Sequence, residues 1–346
     1  MEKKVSIKDI AKKLGVSAAL VSYVLNNKEK EARVGLEMAE RVRSTARELN
    51  YQPNLIARSL RSGRTKTIGL IVADISNPFF SNIARTIEDE ASLNNYTVIF
   101  GSSDENAEKS QTLINTLIKR QVDGLIIAPA ENTAPQLQVL SDRGFPYVLI
   151  DRYFNDLNAN TVRIDNYQAS FKAVKHLHGR GYRRIAMVAY KTRLPHMEDR
   201  KQGFLKALES LGLPVHENSL MESSYENIGS DVAAIMQRLL DQADHRPDSF
   251  LFATNSLAIN GLKEINKRKL KVPDDLGIIS FDETEAFDFF YCPLTYINQS
   301  TDRIGKEAVR ILMQQLEVKD KNTTEKMDTA HLVIDAKLVV QHSCGE

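Results

Sequence analysis

The chain has 346 residues, enough for two or three domains, and its composition of 42% hydrophobic and 26% charged residues is typical of a soluble globular protein. It contains no run of about 18 apolar residues and its N-terminus has no apolar signal-peptide core, so we expect a cytoplasmic protein without a membrane partner. Residues 1–66 carry 15 Lys and Arg against 7 Asp and Glu, whereas the remainder carries 31 against 38, which predicts a phosphate-facing head on a body that does not bind nucleic acid.

The first predicted elements are two short helices joined by a tight turn within residues 6–26. Apolar residues between Ile7 and Leu14 recur with the spacing of one helix face. Gly15 can adopt a positive φ and end that helix, and Ser17 is a suitable N-cap for the next one. Near a basic terminus, this pattern indicates a helix-turn-helix.

The second helix has two different faces when it is rotated by about 100° per residue. One face is apolar and belongs in a core. The other is small and polar, as a helix in the major groove needs to be, because bulky residues would keep it from the base edges. The alternative for this stretch alone is an ordinary amphipathic helical hairpin. The groove-facing candidates are Ala18, Ala19, Ser22, Tyr23 and Asn26.

A third helix is predicted from about Leu36 to Leu49, with both of these residues in its buried stripe, and it completes a headpiece over residues 1–52. A fourth helix should begin at Pro53 within a hinge and linker over residues 53–66. So short a helix is marginal in water, so we expect it to order only against DNA or a second copy of the chain.

From residue 67 the pattern changes to alternating strands and helices. TIGLIVAD at 67–74 is a continuous apolar run, typical of a strand buried on both faces of a parallel sheet. Further strands are predicted at 96–101, 124–129, 146–150, 184–189, 249–254 and 276–281, and helices at 79–93, 109–119, 134–143, 169–179, 200–211, 228–241 and 258–267. The alternation predicts two doubly wound α/β units with a ligand cleft at their carboxyl strand ends.

No enzyme motif is present in the sequence. GxGxxG, GxxxxGK[ST] and GxSxG are all missing, and the seven histidines form no nucleophile–base or metal-binding pattern. Cys292 and Cys344 have no partners at metal-ligand spacing, so we expect two reduced thiols. We therefore expect no catalytic residues, no cofactor and no metal.

Five motifs in this order resemble the LacI/GalR (lactose-repressor) family of bacterial transcription regulators: SIKDIAKKLGVSAALVSYVLN at 6–26, ELNYQPNLIARSLRSGRT at 48–65, NPFF at 77–80, ATNSLAING at 253–261 and ISFDET…PLTYINQ at 279–299. The resemblance implies an all-α helix-turn-helix headpiece and hinge helix, followed by a two-lobed α/β body (67–346) like the periplasmic sugar-binding proteins. It implies chain crossings near Asp165, Ile297 and Lys326, so that lobe 1 contains 67–165 and 298–327, and lobe 2 contains 166–297 and 328–346.

The resemblance also implies a homodimer that binds a pseudo-palindromic operator in double-stranded DNA and represses carbohydrate-utilisation genes. Leu60 would wedge into the minor groove, the alternative being packing on its own headpiece. The expected DNA contacts are Ser6, Ser17, Ala18, Ala19, Ser22, Tyr23, Asn26, Asn54, Ala57, Arg58, Leu60 and Arg61. Small residues and Tyr23 stand where many relatives have larger polar residues and arginine, so DNA shape should matter more here.

A small effector, expected to be a sugar or sugar derivative, would bind between the lobes. The residues implied are Phe79, Phe80, Arg152, Arg200, Asn255, Asp282 and Gln299. Alternatives are core packing for one phenylalanine, a solvated ion pair for Arg200 and surface exposure for Arg152. For the whole chain, the alternative is a cytoplasmic sugar-binding protein or sugar-modifying enzyme without operator specificity.

Overall fold

The computed structural model describes residues 5–52, 63–242, 245–320 and 329–345. Contacts within the chain divide it into two compact units, Met1–Thr65 and Lys66–Glu346. Within the described ranges, no helix is long and apolar enough to cross a membrane. The two units are called the headpiece and the body below.

The headpiece contains helices α1 (Ile7–Leu14), α2 (Ala18–Leu25) and α3 (Leu36–Glu48). Gly15 has a φ of 68° and ends α1, and the Ser17 hydroxyl caps α2 by accepting from Leu20 N at 3.2 Å. Ile10, Val21 and Val42 lie in a small apolar core that all three helices share. The helix-turn-helix predicted from the sequence is therefore present.

One residue of the predicted headpiece core is wrong. Leu36 is 84% exposed, although Leu49 is partly buried against the core as expected. Leu36 is the first residue of α3, and the buried side chains of that helix start one turn later, at Ala39. Periodicity alone does not show where along a helix the contact with its neighbours begins.

The body contains two six-stranded sheets. The sheet of lobe 1 has the order β11-β5-β4-β3-β1-β2 and that of lobe 2 the order β12-β10-β9-β8-β6-β7. Lobe 1 contributes β1 (Thr67–Val72), β2 (Thr97–Ser102), β3 (Gly124–Ile127), β4 (Tyr147–Ile150), β5 (Asn160–Ile164) and β11 (His331–Ile334). Lobe 2 contributes β6 (Ile185–Tyr190), β7 (Leu220–Ser223), β8 (Ser249–Phe252), β9 (Gly277–Phe281), β10 (Thr295–Asn298) and β12 (Lys337–Val339).

All described strand pairs are parallel except β10 with β12. The helices of the body are α4 (Pro78–Leu93), α5 (Ala107–Lys119), α6 (Ala134–Asp142), α7 (Asn166–Gly179), α8 (Pro195–Ser210), α9 (Ile228–Leu240), α10 (Asn255–Lys267) and α11 (Thr301–Asp320). The inner strands are apolar on both faces because helices cover both sides, as parallel sheets require. The doubly wound α/β body was predicted correctly.

Several elements were not predicted from the sequence. β5, β7, β10, β11 and β12 are short or lie near sheet edges, and their apolar character is weaker than that of β1. α11 was also missed, although it packs against α4 and against three strands of lobe 1. α8 begins at Pro195, five residues before the predicted helix start at Arg200, because proline is favoured in the first helical turn.

The third crossing between the lobes was placed wrongly. The chain passes from lobe 1 to lobe 2 between β5 and α7 and returns between β10 and α11, as expected. The last crossing lies between β11 and β12, at Asp335 and Ala336, rather than near Lys326, because β11 pairs with β5 of lobe 1. Residues 331–334 therefore belong to lobe 1.

Candidate functional site

The candidate DNA-reading surface is the outer face of α2. Val21 and Val24 are fully buried, whereas Ala19, Tyr23 and Asn26 are exposed. The Tyr23 side chain is 44% exposed, and Ser22 lies beside it with partial exposure. The face therefore presents one aromatic hydroxyl among small side chains, as the rotation of the sequence predicted.

Some candidate DNA contacts also hold the headpiece together. The Ser6 backbone N and hydroxyl both donate to Asp9 Oδ2, at 2.8 and 2.7 Å, which fixes the start of α1. Asn26 Nδ2 donates to Ser22 O at 2.7 Å, and Ala18 packs partly against the core. The hinge candidates Asn54, Ala57, Arg58, Leu60 and Arg61 lie outside the described residues.

A cavity of about 300 Å³ lies between the two lobes of the body. Six of the seven effector candidates line it: Phe79, Phe80, Arg152, Arg200, Asp282 and Gln299. Asn255, the seventh, is fully buried behind the wall, where its Nδ2 donates to Asn77 Oδ1 at 3.0 Å. Asn255 therefore supports a lining residue from the opposite lobe rather than forming the wall.

The aromatic part of the wall is built at the N-terminus of α4. The side chain of Asn77 caps this helix by accepting from Phe79 N at 3.0 Å, and Pro78 occupies the first turn. The Phe79 and Phe80 rings pack edge to face with centroids 5.0 Å apart. Both rings are buried and both line the cavity, so core packing and a wall position are combined in each of them.

Arg152 is buried in lobe 1, which removes the surface-exposure alternative. Its Nη1 and Nη2 donate to the two carboxylate oxygens of Glu105, each at 2.5 Å, and its guanidinium lies 5.5 Å from the Phe80 ring centroid. Burial would lower the pKa of Arg152, but the charge of Glu105 raises it overall. The guanidinium is therefore a fixed cation that is neutralised within its own lobe.

Arg200 is also buried, so the alternative interpretation, a solvated ion pair with its acidic neighbours in the sequence, is wrong. Its Nε donates to Asn166 Oδ1 at 2.7 Å, its Nη1 to Ala253 O at 2.6 Å and its Nη2 to Gln299 Oε1 at 3.1 Å. The guanidinium stacks on the Phe281 ring at 4.0 Å from its centroid. Asn166 and Gln299 flank two of the crossings between the lobes, so Arg200 connects both of them.

Gly203 brings Arg200 into this position. A Cβ at Gly203 would lie 2.1 Å from the Tyr167 carbonyl oxygen, so only glycine allows α8 to lie this close to α7. The close contact places Arg200, one turn earlier on α8, beside Asn166 at the start of α7.

Asp282 directly follows β9 and has a φ of 65°, in the left-handed region where aspartate is tolerated better than most residues. Its Oδ1 accepts from Gln299 Nε2 at 2.6 Å. Burial raises the pKa of this carboxyl to about 7, although Arg200 and Gln299 act in the opposite direction. Near neutral pH, Asp282 can therefore be present in either protonation state.

Asp151 was not predicted, although it occupies the equivalent place in lobe 1. It directly follows β4 with a φ of 62°, lines the cavity and is buried. Burial raises the pKa of its carboxyl, and Oδ1 has no hydrogen-bond partner among the described residues. A signal was available, because the residue directly after a buried strand faces the cleft in a doubly wound sheet.

Among the residues that the structure describes, several side-chain hydrogen bonds cross from one lobe to the other. Tyr225 donates to Asp74 Oδ2 at 2.9 Å, Tyr153 to Asp199 Oδ2 at 2.8 Å, Thr192 to Glu131 Oε2 at 2.7 Å and Asn255 to Asn77 Oδ1 at 3.0 Å. Such bonds depend on the relative position of the lobes. No local sequence pattern identifies them, since the partners are far apart in the chain.

Other lining residues that sequence reasoning missed include Glu105, Glu131, Tyr190, His196 and Tyr225. Burial lowers the pKa of His196 well below its usual value, so its imidazole is neutral. The described residues contain no group of three or more His, Cys, Asp or Glu side chains that could hold a metal ion. The cavity wall combines aromatic rings with hydrogen-bonding side chains, and these groups can contact a small molecule.

Models of two protein families match the chain. Residues 6–54 match the bacterial regulatory proteins of the lacI family, and residues 174–344 match the periplasmic binding protein-like domain. The HTH-type transcriptional repressor PurR of Haemophilus influenzae (strain PittEE) is 31% identical over 341 residues, which cover 98% of each protein. That relative is a transcriptional repressor.

Two solved structures are similar to the chain. The Lac repressor dimer bound to operator and an anti-inducer has a TM-score of 0.83 at 21% identity, covering 99% of this chain and 100% of that one. A LacI family transcriptional regulator from Enterococcus faecium with bound ribose has a TM-score of 0.69 at 25% identity, covering 81% of this chain and 98% of that one. The first shows a common fold.

Proposed function

This chain belongs to the lacI family of bacterial regulatory proteins and is a DNA-binding transcriptional regulator. We propose that it represses carbohydrate-utilisation genes and that a sugar or sugar derivative controls this repression. The observation that carries the proposal is the convergence of six predicted effector residues on one cavity between the lobes. The operator DNA of a bacterial regulator lies in the cytoplasm, so the proposed site of action is the cytoplasm.

The proposed DNA contact is made by a homodimer whose two α2 helices enter neighbouring major grooves of a pseudo-palindromic operator. The exposed face of Ala19, Tyr23 and Asn26 supports this proposal, because small side chains permit close approach to base edges. Ser6, Ser17, Ala18 and Ser22 complete the proposed headpiece contacts, with Asn54, Ala57, Arg58 and Arg61 at the hinge. Leu60 would wedge the minor groove between the half-sites.

The proposed effector site combines rings with hydrogen-bonding groups. Phe79 and Phe80 offer apolar surface to a sugar ring, and Asp282 offers a carboxylate oxygen to its hydroxyls. The similar regulator from Enterococcus faecium holds ribose, which supports a carbohydrate as the ligand class. Small-molecule sites typically combine aromatic or apolar surface with convergent polar groups, and this cavity has both.

Control of DNA binding follows from lobe movement in this proposal. A ligand shifts a conformational equilibrium only through its different affinities for the two states. A ligand between Asp282 of lobe 2 and Phe80 of lobe 1 contacts both lobes, so its affinity depends on their relative position. Arg200 then connects the cavity wall to Asn166 and Gln299 at two crossings.

The test is operator affinity of the full chain with and without sugars, using a duplex identified by selection from random DNA. We expect binding to weaken by about 10³–10⁵-fold between 50 and 200 mM salt, as for 6–10 phosphate contacts, and to change with one class of sugar. Asp282→Ala should keep operator affinity without ligand within a few fold but lose the response. A matched control is Glu217→Ala, in an exposed loop before β7. Affinity that no sugar changes would remove the effector part of the proposal.

A further inference from the structure

We propose that a surface groove spanning both lobes is a second ligand site, which binds a small zwitterion with an apolar ring, of the chemical class of the aromatic amino acids. The groove has a volume of about 410 Å³, and among the described residues it shares no lining residue with the cavity between the lobes. Lobe 1 contributes the first turns of α6 and the loop between β4 and β5, and lobe 2 contributes the start of α8. The inference does not depend on the proposed sugar effector.

Two exposed side chains of opposite charge line the groove, one from each lobe. Asp156 belongs to lobe 1 and Arg193 to lobe 2. Within the described part of the chain, neither side chain has a hydrogen bond or an ion pair, so the two do not pair with each other. A ligand with one carboxylate and one ammonium group complements both charges at once, because the planar guanidinium binds carboxylates and the aspartate attracts cations.

Apolar side chains from both lobes also line the groove: Pro135, Phe154 and Leu157 in lobe 1, and Pro195 in lobe 2. Leu157 is buried in the core of lobe 1 and Phe154 packs against that core, so this part of the wall is fixed by the fold. A cavity of several hundred Å³ with apolar walls and a few polar groups suits a small molecule. The ring is needed for affinity, because exposed ion pairs by themselves contribute little.

Two hydrogen bonds between the lobes lie beside the groove. Thr192 donates to Glu131 Oε2 at 2.7 Å, and Tyr153 donates to Asp199 Oδ2 at 2.8 Å. Both donors are next in sequence to a lining residue of the groove. The groove therefore keeps this form only while the lobes keep the arrangement that these bonds stabilise. A ligand that binds across it favours that arrangement, because its affinity differs between this state and one with separated lobes.

The segment 192–195 separates the groove from the cavity between the lobes. Its backbone is extended at Leu194, and successive side chains of an extended segment point to opposite sides. Thr192 and Leu194 line the cavity, whereas Arg193 and Pro195 line the groove. A ligand in the groove and a ligand in the cavity therefore contact opposite faces of one segment.

The experiment measures by calorimetry how the full chain binds L-phenylalanine, glycine, phenylacetate and phenethylamine. Glycine keeps both charges but lacks the ring, phenylacetate lacks the ammonium group and phenethylamine lacks the carboxylate. We expect L-phenylalanine to bind at least about tenfold more tightly than glycine, because its ring is buried, and about two- to fivefold more tightly than each singly charged compound. No saturable binding of L-phenylalanine, or equal affinity for a singly charged compound, would overturn the inference.

Variants locate the site and keep it distinct from the cavity. Arg193→Met should abolish the preference for L-phenylalanine over phenethylamine, and Asp156→Asn should abolish its preference over phenylacetate. Arg238→Met, at an exposed position of α9 in lobe 2, is the matched control and should leave both preferences unchanged. Asp282→Ala changes the cavity and should leave L-phenylalanine binding intact. Binding that is lost in Asp282→Ala but unchanged in Arg193→Met would place the probe in the cavity and overturn this inference.

Discussion

In each lobe an aspartate directly follows a central strand, but the arginine near that aspartate has different partners in the two lobes. Asp151 after β4 donates its backbone N–H to Val162 O at 2.9 Å, and Asp282 after β9 donates its own to Ile297 O at 3.0 Å. In lobe 1 the nearby cation, Arg152, is paired with Glu105 of the same lobe. In lobe 2 the cation, Arg200, bonds to neutral groups at two lobe crossings.

The two arginines therefore have different functions, because Arg152 stabilises its own lobe and Arg200 connects the cavity to the lobe crossings. The Arg152–Glu105 pair can remain intact whatever the position of lobe 2, so it stabilises lobe 1 alone. The Arg200 network contains residues beside two crossings, and its partner Gln299 also donates to Asp282. Equivalent places in two similar sheets therefore hold one self-contained ion pair and one link between the cavity and the crossings.

The largest expected effect is that of Arg200→Met. The substitution leaves buried acceptors on Asn166, Ala253 and Gln299 without their donor, and each buried polar group left unpaired costs about 1–3 kcal/mol. Urea unfolding of the body should show that loss. Lys206→Met, at an exposed position of the same helix, is the control and should cost less than about 1 kcal/mol. Equal losses in both proteins would contradict the connecting function of Arg200.

A smaller effect is expected for the self-contained pair in lobe 1. Arg152→Met leaves Glu105 unpaired and should cost about 2–4 kcal/mol, whereas the double variant Arg152→Met with Glu105→Leu should recover much of that loss. A double-mutant cycle by urea unfolding measures the coupling. If the stability losses of the two single variants simply add in the double variant, Arg152 and Glu105 do not stabilise each other as a pair.

The pH dependence of stability distinguishes Asp282 from an ordinary carboxyl. Its pKa of about 7 exceeds the value near 4 of an unfolded aspartate, so the folded state binds the extra proton between these pH values. The free energy of unfolding should therefore fall as pH rises from 4 to 7, by roughly 1–3 kcal/mol from this group. Asp282→Asn should flatten that part of the curve, while Asp151 contributes equally to both proteins. Identical pH profiles would show that Asp282 is ionised throughout.

The smallest effect concerns a hydrogen bond between the lobes. Tyr225→Phe removes the donor to Asp74 and should lower stability by about 0.5–1.5 kcal/mol while raising the dissociation rate of a bound effector several-fold. Tyr182→Phe is a matched control, since its hydroxyl contacts Pro273 O within lobe 2 at 3.4 Å. A dissociation rate that changes equally in both variants would mean that the Tyr225 bond does not restrain the lobes.

Sequence periodicity was sufficient for the helix-turn-helix and the inner strands, because both depend on local patterns. Gly15 and Ser17 mark the turn, and the apolar run of β1 marks a strand covered on both sides. β11 and β12 could not be placed in this way, since assignment to a sheet depends on the partner strand and not on three or four residues of sequence.

The cavity could be predicted only in part. Arg200 and Asp282 were found through family motifs, whereas the charges of their environment were not. Glu105 lies 47 positions from Arg152, and no spacing in the sequence indicates that the two form a pair. Partners from distant segments are set by the tertiary fold, so the charge balance of the cavity became visible with the three-dimensional arrangement.

The short link between β11 and β12 limits how the lobes can move. Two residues, Asp335 and Ala336, separate a strand of one sheet from a strand of the other, so Ile334 and Lys337 can lie no more than about 11 Å apart. This link acts as a hinge at one edge of the two sheets. It permits the lobes to twist or tilt about that edge, but it prevents them from separating there, so the largest displacements must occur on the far side of each sheet, around β2 and β7.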